Sequence, residues 1–141
     1  MCGRAYSTYT ADELYFQFLN KRPLKIGPLK PNYNVSPTQT ASIVRLADGS
    51  RTIDEMVWGL IPEWSPEFKI KFSAIKARSE GVFESRLYKK PVITRRCIIP
   101  FSGFFESKME SNAKRPFKIF LRYSPIMPVA GIWNHMALWY S

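Results

Sequence analysis

Cys2 is the residue of this chain with the most distinctive chemistry. An initiator methionine before a small residue is normally trimmed, so the mature chain is expected to begin with cysteine. A terminal cysteine holds an amine of ordinary pKa about 7.7–8.0 beside a thiol at about 8.5, so both nucleophiles are available near neutral pH. Such a pair traps aldehydes: the amine condenses to a Schiff base, and the thiol closes on the imine carbon to give a five-membered thiazolidine. Taken alone, a second-position cysteine is more often incidental than functional. Its neighbours add to it, because Gly3 permits close backbone approach and Arg4 sets a phosphate-binding fork two residues away. Glu106, at the end of an apolar run, reads on its own as a strand-end charge that Arg96 or Lys108 can pair. Cys97 reads as a buried, inert thiol and His135, the one histidine, as a surface residue. Two cysteines make neither a disulfide framework nor a four-ligand zinc site. No phosphate-binding Gly-rich loop, metal-ligand cluster or Ser/His/Asp arrangement is visible, which leaves little room for a conventional hydrolase and suggests no metal or cofactor.

These groups need a scaffold, and 141 residues suffice for one domain that buries roughly two thirds of its unfolded surface. The 45% hydrophobic and 23% charged content can offset ordering entropy, which excludes wholesale disorder. No apolar run reaches the roughly 20 residues of a membrane span, and the N-terminus lacks a signal-peptide layout. The expected location is the cytoplasm, nucleoid-associated in a bacterium or phage, or the nucleus in a eukaryote, with no membrane partner. The formal charge of +10 calls for an anionic partner. Seven Tyr, ten Phe and four Trp add stacking surfaces of the kind that hold single strands in basic grooves, although most must be core. The basic pairs Lys89-Lys90 and Arg95-Arg96 are equally readable as a solvated face.

Thr10-Ala-Asp-Glu13 is a capping box, and Leu14, Tyr15, Phe18 and Leu19 then follow helical spacing, which predicts a short helix over 11–20. Four prolines between Arg22 and Pro37 predict an ordered loop or edge segment. Ser42–Ala47 and Ile53–Ile61 read as strands about an Asp48-Gly49-Ser50 turn. A second short helix is expected over Ser79–Lys89, with Phe83 and Leu87 on one face. Beyond it, Arg96–Glu106 reads as a buried strand broken by Pro100, and Phe117–Tyr123 and Met127–Trp133 as further strands. The sum is an α+β fold: an antiparallel, partly closed, barrel-like sheet with a few short helices, in a single domain over 1–141.

Met1-Cys2-Gly3-Arg4 resembles the start of the SRAP family of abasic-site-processing proteins, named for association with the SOS response. The resemblance runs along the chain. Asn34-Val-Ser-Pro37-Thr38-Gln39 is similar to the family's Asn-Val-Ala-Pro-Thr-Gln, and Val57-Trp58-Gly59-Leu60-Ile61-Pro62 with Trp64 to its Trp-Gly-Leu-Ile-Pro-x-Trp. Ala77-Arg78-Ser79-Glu80 matches Ala-Arg-x-Glu, Arg95–Pro100 with Gly103-Phe-Phe-Glu106 resembles the strand that ends in a catalytic glutamate, and Pro128–Trp133 resembles the strand after it.

The resemblance implies a protein that binds abasic sites in single-stranded DNA and links them to Cys2 as a thiazolidine, with Glu106 moving the protons. It further implies phosphate contacts from Arg4 and Arg78, a base-binding cleft at Asn34, Trp58 and Trp64, and peptidase-like removal of Met1. Trp58, within an apolar strand, is the more core-like tryptophan; Trp64, flanked by prolines, is the better stacking platform. Two positions depart from the family. Lys76 stands where the family has an Asn that orients the N-terminal residue and the sugar. A second ammonium there would lower the pKa of the terminal amine, form an imine itself, or misplace the substrate, and the sequence leaves these open. The family's His-x-Arg-Met-Pro motif does not occur before Ser141, so a chain lacking the C-terminal part of the family fold is expected. Three functions follow: an abasic-site crosslinker, a noncatalytic single-stranded DNA-binding module, or an inactive truncated remnant.

Overall fold

The computed structural model describes residues 3–20, 29–66 and 72–135. Cys2 lies outside the described residues. Among the described residues, besides two 3-10 turns at Phe72–Ile75 and Ser79–Gly81, ten α-helices and β-strands run in the order β1 (Ala5–Ser7), α1 (Ala11–Leu19), β2 (Asn32–Val35), β3 (Thr40–Ala47), β4 (Ser50–Val57), α2 (Lys89–Thr94), β5 (Arg96–Phe101), β6 (Gly103–Glu110), β7 (Ala113–Ile119) and β8 (Met127–Ile132). They form two four-stranded antiparallel sheets, β2-β1-β6-β7 and β4-β3-β5-β8. The antiparallel α+β architecture is as expected, and it takes the form of two sheets with no closed barrel.

Helix α1 starts where the capping box predicts. The Thr10 N–H donates to Glu13 Oε2 at 2.7 Å, and the Glu13 N–H donates to Thr10 Oγ1 at 3.2 Å. Asn20, left-handed at φ 49°, ends it. Leu14 and Phe18, four apart, are buried against Tyr9, Val44 and Ile126, and each such side chain contributes about 1.5–3 kcal/mol. This helix covers one face of the second sheet. On the other face Ala41, Ile99 and Phe101 meet Ala5, Val35 and Phe104 of the first sheet. The proline-rich expectation holds where the chain is described, since β2 is an edge strand.

Both hairpins turn through two successive residues at positive φ. Asp48 and Gly49 sit at φ 48° and 76°, joining β3 to β4, while Ser111 and Asn112 sit at φ 46° and 68°, joining β6 to β7. Two successive positive φ angles match the twist of the flanking strands. The second turn starts β7 at Ala113, earlier than the expected Phe117, and Phe120–Tyr123 fall outside the strand.

Three further boundaries differ from the sequence expectation. Strand β4 stops at Val57 rather than Ile61, because Gly59 turns the backbone at φ 138° and the Leu60 N–H leaves the ladder for the Ala74 carbonyl at 3.0 Å. No helix spans Ser79–Lys89: a single 3-10 turn at Ser79–Gly81 precedes α2, and of Phe83 and Leu87, expected on one helix face, Leu87 is half-buried and Phe83 is exposed. With Phe83 uncovered, packing does not hold a longer helix together. The third difference is at Pro100, which lies within β5 and does not break it; the break is Ser102. Pro100 stands opposite Pro128, its carbonyl points away from β8 to accept from Tyr9 Oη at 2.9 Å, and β3 pairs with β5 only at Ile98 and Cys97. Its missing N–H therefore leaves no ladder bond unmade. At Ser102 the chain crosses between sheets, the Ser102 N–H donating to the Tyr6 carbonyl at 2.8 Å and the Thr8 N–H to Ser102 Oγ at 2.9 Å.

Gly103 begins β6 where no side chain fits, since a Cβ there would lie 2.3 Å from the Ile119 carbonyl oxygen and 2.6 Å from Tyr6 Oη. Gly103→Ala is expected to lower unfolding free energy by about 1–3 kcal/mol in urea titration, whereas Gly81→Ala, with open space around it, should leave the midpoint unchanged. Cys97 is the buried thiol the sequence suggests, and burial pushes it up to about 11. The folded state thus keeps this proton more tightly than the unfolded chain, a stabilisation lost as pH rises through that value. Iodoacetamide at pH 8, followed by mass mapping of the Cys97 peptide, should label the native protein at least about 100-fold more slowly than the urea-unfolded one.

Candidate functional site

Trp58 is where separate segments meet. Its N–H donates to the Gln39 carbonyl and its carbonyl accepts from the Thr38 N–H, both at 2.9 Å, while its indole Nε1–H donates to the Ile75 carbonyl at 2.9 Å. The ring tilts against Phe101 with centroids 5.8 Å apart, and it also packs on the Ala5 and Val35 cluster. The half-buried Trp58 is thus a strut, in line with its core-like reading, yet it also borders a cleft of about 600 Å³.

The cleft floor is Ile43, Cys97 and Ile99 of the second sheet, and Ile75, Val82 and Val92 stand in its walls. Lys76 and Arg78 reach it from the segment tied to Trp58, and both are exposed. Among the described residues neither has an ionic partner, so both charges remain available to an anion. Lys76 is held by its backbone, its carbonyl accepting from Tyr88 Oη at 2.9 Å.

Arg4, Asn34 and Glu106 belong to the first sheet. The Arg4 guanidinium donates from Nη1 to Asn34 Oδ1 at 2.9 Å on an exposed face, which unites two of the sequence candidates. Ala5 pairs with Phe104 and Tyr6 with Gly103, and the Phe105 N–H donates to the Arg4 carbonyl at 2.9 Å. Continued by one residue, this register sets Gly3 across from Glu106. Side chains alternate along a strand, so the half-buried Glu106 shares the face of Phe104, Phe117 and Ile119, while Arg4 and Asn34 lie on the other. Phe117 and Ile119 are partly exposed, and Lys108 and Arg115 beside them are exposed and basic. Lys108 lies 3.9 Å from Glu110 and Arg115 lies 3.3 Å from it.

Trp64 is 54% exposed, and the Arg86 guanidinium lies 5.2 Å from its ring centroid. An indole face backed by a cation suits a base and its phosphate. Nothing in the sequence pointed to Arg86, because the pairing spans a fold-dependent gap. The basic run beyond it divides. Glu63 pairs with Lys90 at 2.5 Å and with Arg95, and these two cations hold its carboxyl below the usual range, Lys90 most strongly. Arg95 also donates to Asn134 Oδ1, and Asn134 Nδ2 donates to the Ile61 carbonyl at 2.8 Å, closing one end of the cleft. Lys90 and Arg95 are therefore structural, while Lys89 and Arg96 are exposed. His135 is exposed, as expected, with its ring edge-on to Trp133 at 4.5 Å.

The structure thus gathers the candidates into an Arg4–Asn34 pair, a Glu106 face beside the chain start, and a cleft mouth at Trp58, Lys76 and Arg78, with Trp64 exposed on the loop that follows Trp58. Among the described residues no cluster of three or more His, Cys, Asp or Glu could hold a metal, and no helix is long and apolar enough to cross a membrane.

The chain is 36% identical over 137 residues to the abasic site processing protein YoaM of Bacillus subtilis, covering 95% of this chain and 60% of that protein. It is 36% identical over 139 residues to YoqW of Bacillus phage SPbeta, another abasic site processing protein, covering 95% and 62%. It is 29% identical over 141 residues to the abasic site processing protein HMCES of Gallus gallus, covering 85% and 42%. The chain thus spans less than two thirds of the length of these relatives. Among solved structures, a Bacteroides thetaiotaomicron protein superposes with a TM-score of 0.76 at 24% identity, over 94% of this chain and 61% of that one. A phage-related protein from Bordetella bronchiseptica superposes with a TM-score of 0.67 at 26% identity, over 93% and 60%. Residues 1–138 match the family described as SOS response associated peptidase (SRAP), and the chain belongs to that family.

Proposed function

We propose that this protein processes abasic sites in DNA by capturing them, in single strands, as a covalent thiazolidine on Cys2. The observation that carries the reading is the β1–β6 register. With the Phe105 N–H bonded to the Arg4 carbonyl, Gly3 falls across from Glu106, and Cys2 is one peptide, about 3.8 Å between Cα atoms, from Gly3. The names of the relatives supply the substrate class.

The chemistry needs removal of Met1, which this family's name suggests as the peptidase-like step. The freed amine adds to the aldehyde carbon of the ring-opened abasic sugar. Loss of one water leaves the imine, and the thiol sulfur then adds to the imine carbon while its proton passes to nitrogen. Glu106 is suited to protonate the departing hydroxyl and to take a proton back from the iminium nitrogen, which leaves the imine. Arg4, paired with Asn34, and the unpaired Arg78 and Lys76 would bind flanking phosphates, and Trp64 with Arg86 would stack a base. Lys76 is exposed at the cleft mouth, which favours phosphate binding over a role as second imine-forming amine.

Denaturing-gel analysis with a single-stranded oligonucleotide carrying one abasic site should show a shifted band that Cys2→Ala abolishes. Glu106→Gln should form the same band about 10²–10⁴-fold more slowly. Binding to the oligonucleotide without any covalent band would establish the noncatalytic module instead. In fluorescence anisotropy with intact single strands, Trp64→Ala should weaken binding by about 5–150-fold, the equivalent of about 1–3 kcal/mol of stacking, without changing the slope of affinity against salt.

A further inference from the structure

The first sheet divides its charges between its two faces. The only acids in its four strands are Glu106 and Glu110. Alternation puts both on the face of Phe104, where Glu110 pairs with Lys108 and Arg115. The opposite face carries Arg4, Lys114 and Lys118, and the strands set no acid on it. The register arranges these cations. The Phe105 N–H donates to the Arg4 carbonyl, so Arg4 stands across from Phe105, which in turn pairs with Lys118. Arg4, Phe105 and Lys118 thus form one row on one face, the outer two Cα atoms about 10 Å apart at about 4.8 Å per strand. Lys114 lies on the same face four residues from Lys118, about 13 Å along β7. Rings lie between the cations: Phe105 packs 5.5 Å from the buried Tyr6, and Lys118 Nζ sits 4.3 Å from the Tyr6 centroid and 5.9 Å from that of the exposed Phe120. Rings position an ammonium without cancelling its charge, as a carboxylate would. Among the described residues Lys114 and Lys118 have no ionic partner, and both are exposed. Cations spread this far apart do not converge on one small anion; they fit charges repeated along a chain.

We propose that Lys118 and Lys114 bind phosphates of the DNA strand beyond Arg4, so that the strand crosses the face turned away from Phe104, over Phe105, and continues along β7. Both lysines are binding residues and touch no reacting atom. The inference rests on the single-strand reading above for its ligand and not on the chemistry of Cys2.

The test is fluorescence anisotropy of the full chain with an intact single-stranded oligonucleotide of about 20 nucleotides, repeated across a salt series. Lys118→Met and Lys114→Met, which keep most of the side-chain stem, should each flatten the slope of log affinity against log salt by about 0.7, and together by about 1.4. Between about 50 and 200 mM salt the advantage of the wild type over each single variant should therefore shrink about 2.6-fold. Lys118→Arg should keep the slope, and Lys89→Met, which removes an exposed charge from α2, should leave it unchanged. Circular dichroism melts verify folding, because Lys118 also lies against Tyr6; Lys114 makes no such ring contact among the described residues, so its variant decides the matter if Lys118→Met loses stability. Unchanged slopes in the folded lysine variants overturn the proposal. So does an equal flattening in Lys89→Met, which would reduce the effect to bulk charge. Covalent capture of an abasic oligonucleotide alongside unchanged slopes would leave the capture reading standing and refute this one, whereas flattened slopes without capture would do the reverse. Absence of any wild-type binding to single strands overturns both.

Discussion

The indole N–H of Trp58 bonded to the Ile75 carbonyl, together with the two backbone bonds from Trp58 to Thr38 and Gln39, is the joint from which the site is organised. Each bond satisfies a polar group that would otherwise be withdrawn from water at a cost of about 1–3 kcal/mol. Because the three partners lie outside the strands, Thr38 and Gln39 in a turn and Ile75 at the end of a 3-10 turn, Trp58 does what a sheet ladder cannot: it fixes backbone between the sheets' strands. Its ring, set against Phe101, ties that backbone to β5 and to the Ala5 and Val35 cluster beneath β1. The positions of Lys76 and Arg78 follow from the anchored Ile75, and those of the Asn34–Gln39 turn from the anchored Thr38. A tryptophan is needed here, since no smaller ring both reaches Phe101 and carries an N–H to the carbonyl.

The second constraint is the crossing at Ser102. Strands β5 and β6 are consecutive but lie in different sheets, so one short kink carries the chain from the sheet under α1 to the sheet that holds β1. Gly103 follows because Tyr6 and the Ile119 carbonyl leave no room for a Cβ. The arrangement sets Phe104 into the core and puts Glu106, two residues on, past its edge, half-buried on the same face. The carboxylate is thus neither sealed in the apolar cluster nor fully exposed.

The charge of +10 is unevenly used. Glu63 gathers Lys90 and Arg95, and Asp54 takes Arg45 at 2.7 Å while that guanidinium also lies 4.7 Å from the Trp133 ring centroid. These cations brace the far end of the cleft. Those at the cleft mouth and along β6–β7 face solvent, where they raise the positive potential of the surface.

Much of this was legible in the residues alone. The capping box placed α1, the Asp-Gly turn placed the first hairpin, and six short motifs in order identified the family, because each depends on local chemistry: a side chain that bonds its own backbone, a residue that tolerates positive φ, an amine and a thiol on one carbon frame. The failures were of another kind. Ser79–Lys89 has helical spacing, but no partner surface covers Phe83; Pro100 looked like a break, but its missing N–H faces a direction in which no strand is bonded; and Ser111-Asn112 turns the chain without a glycine to announce it. That Arg4 joins Asn34, that Arg86 backs Trp64 and that Gly3 faces Glu106 was decided only by the folded chain. Such contacts depend on which strands become neighbours and in which register, and that is set by the burial of whole faces rather than by any residue's own preference.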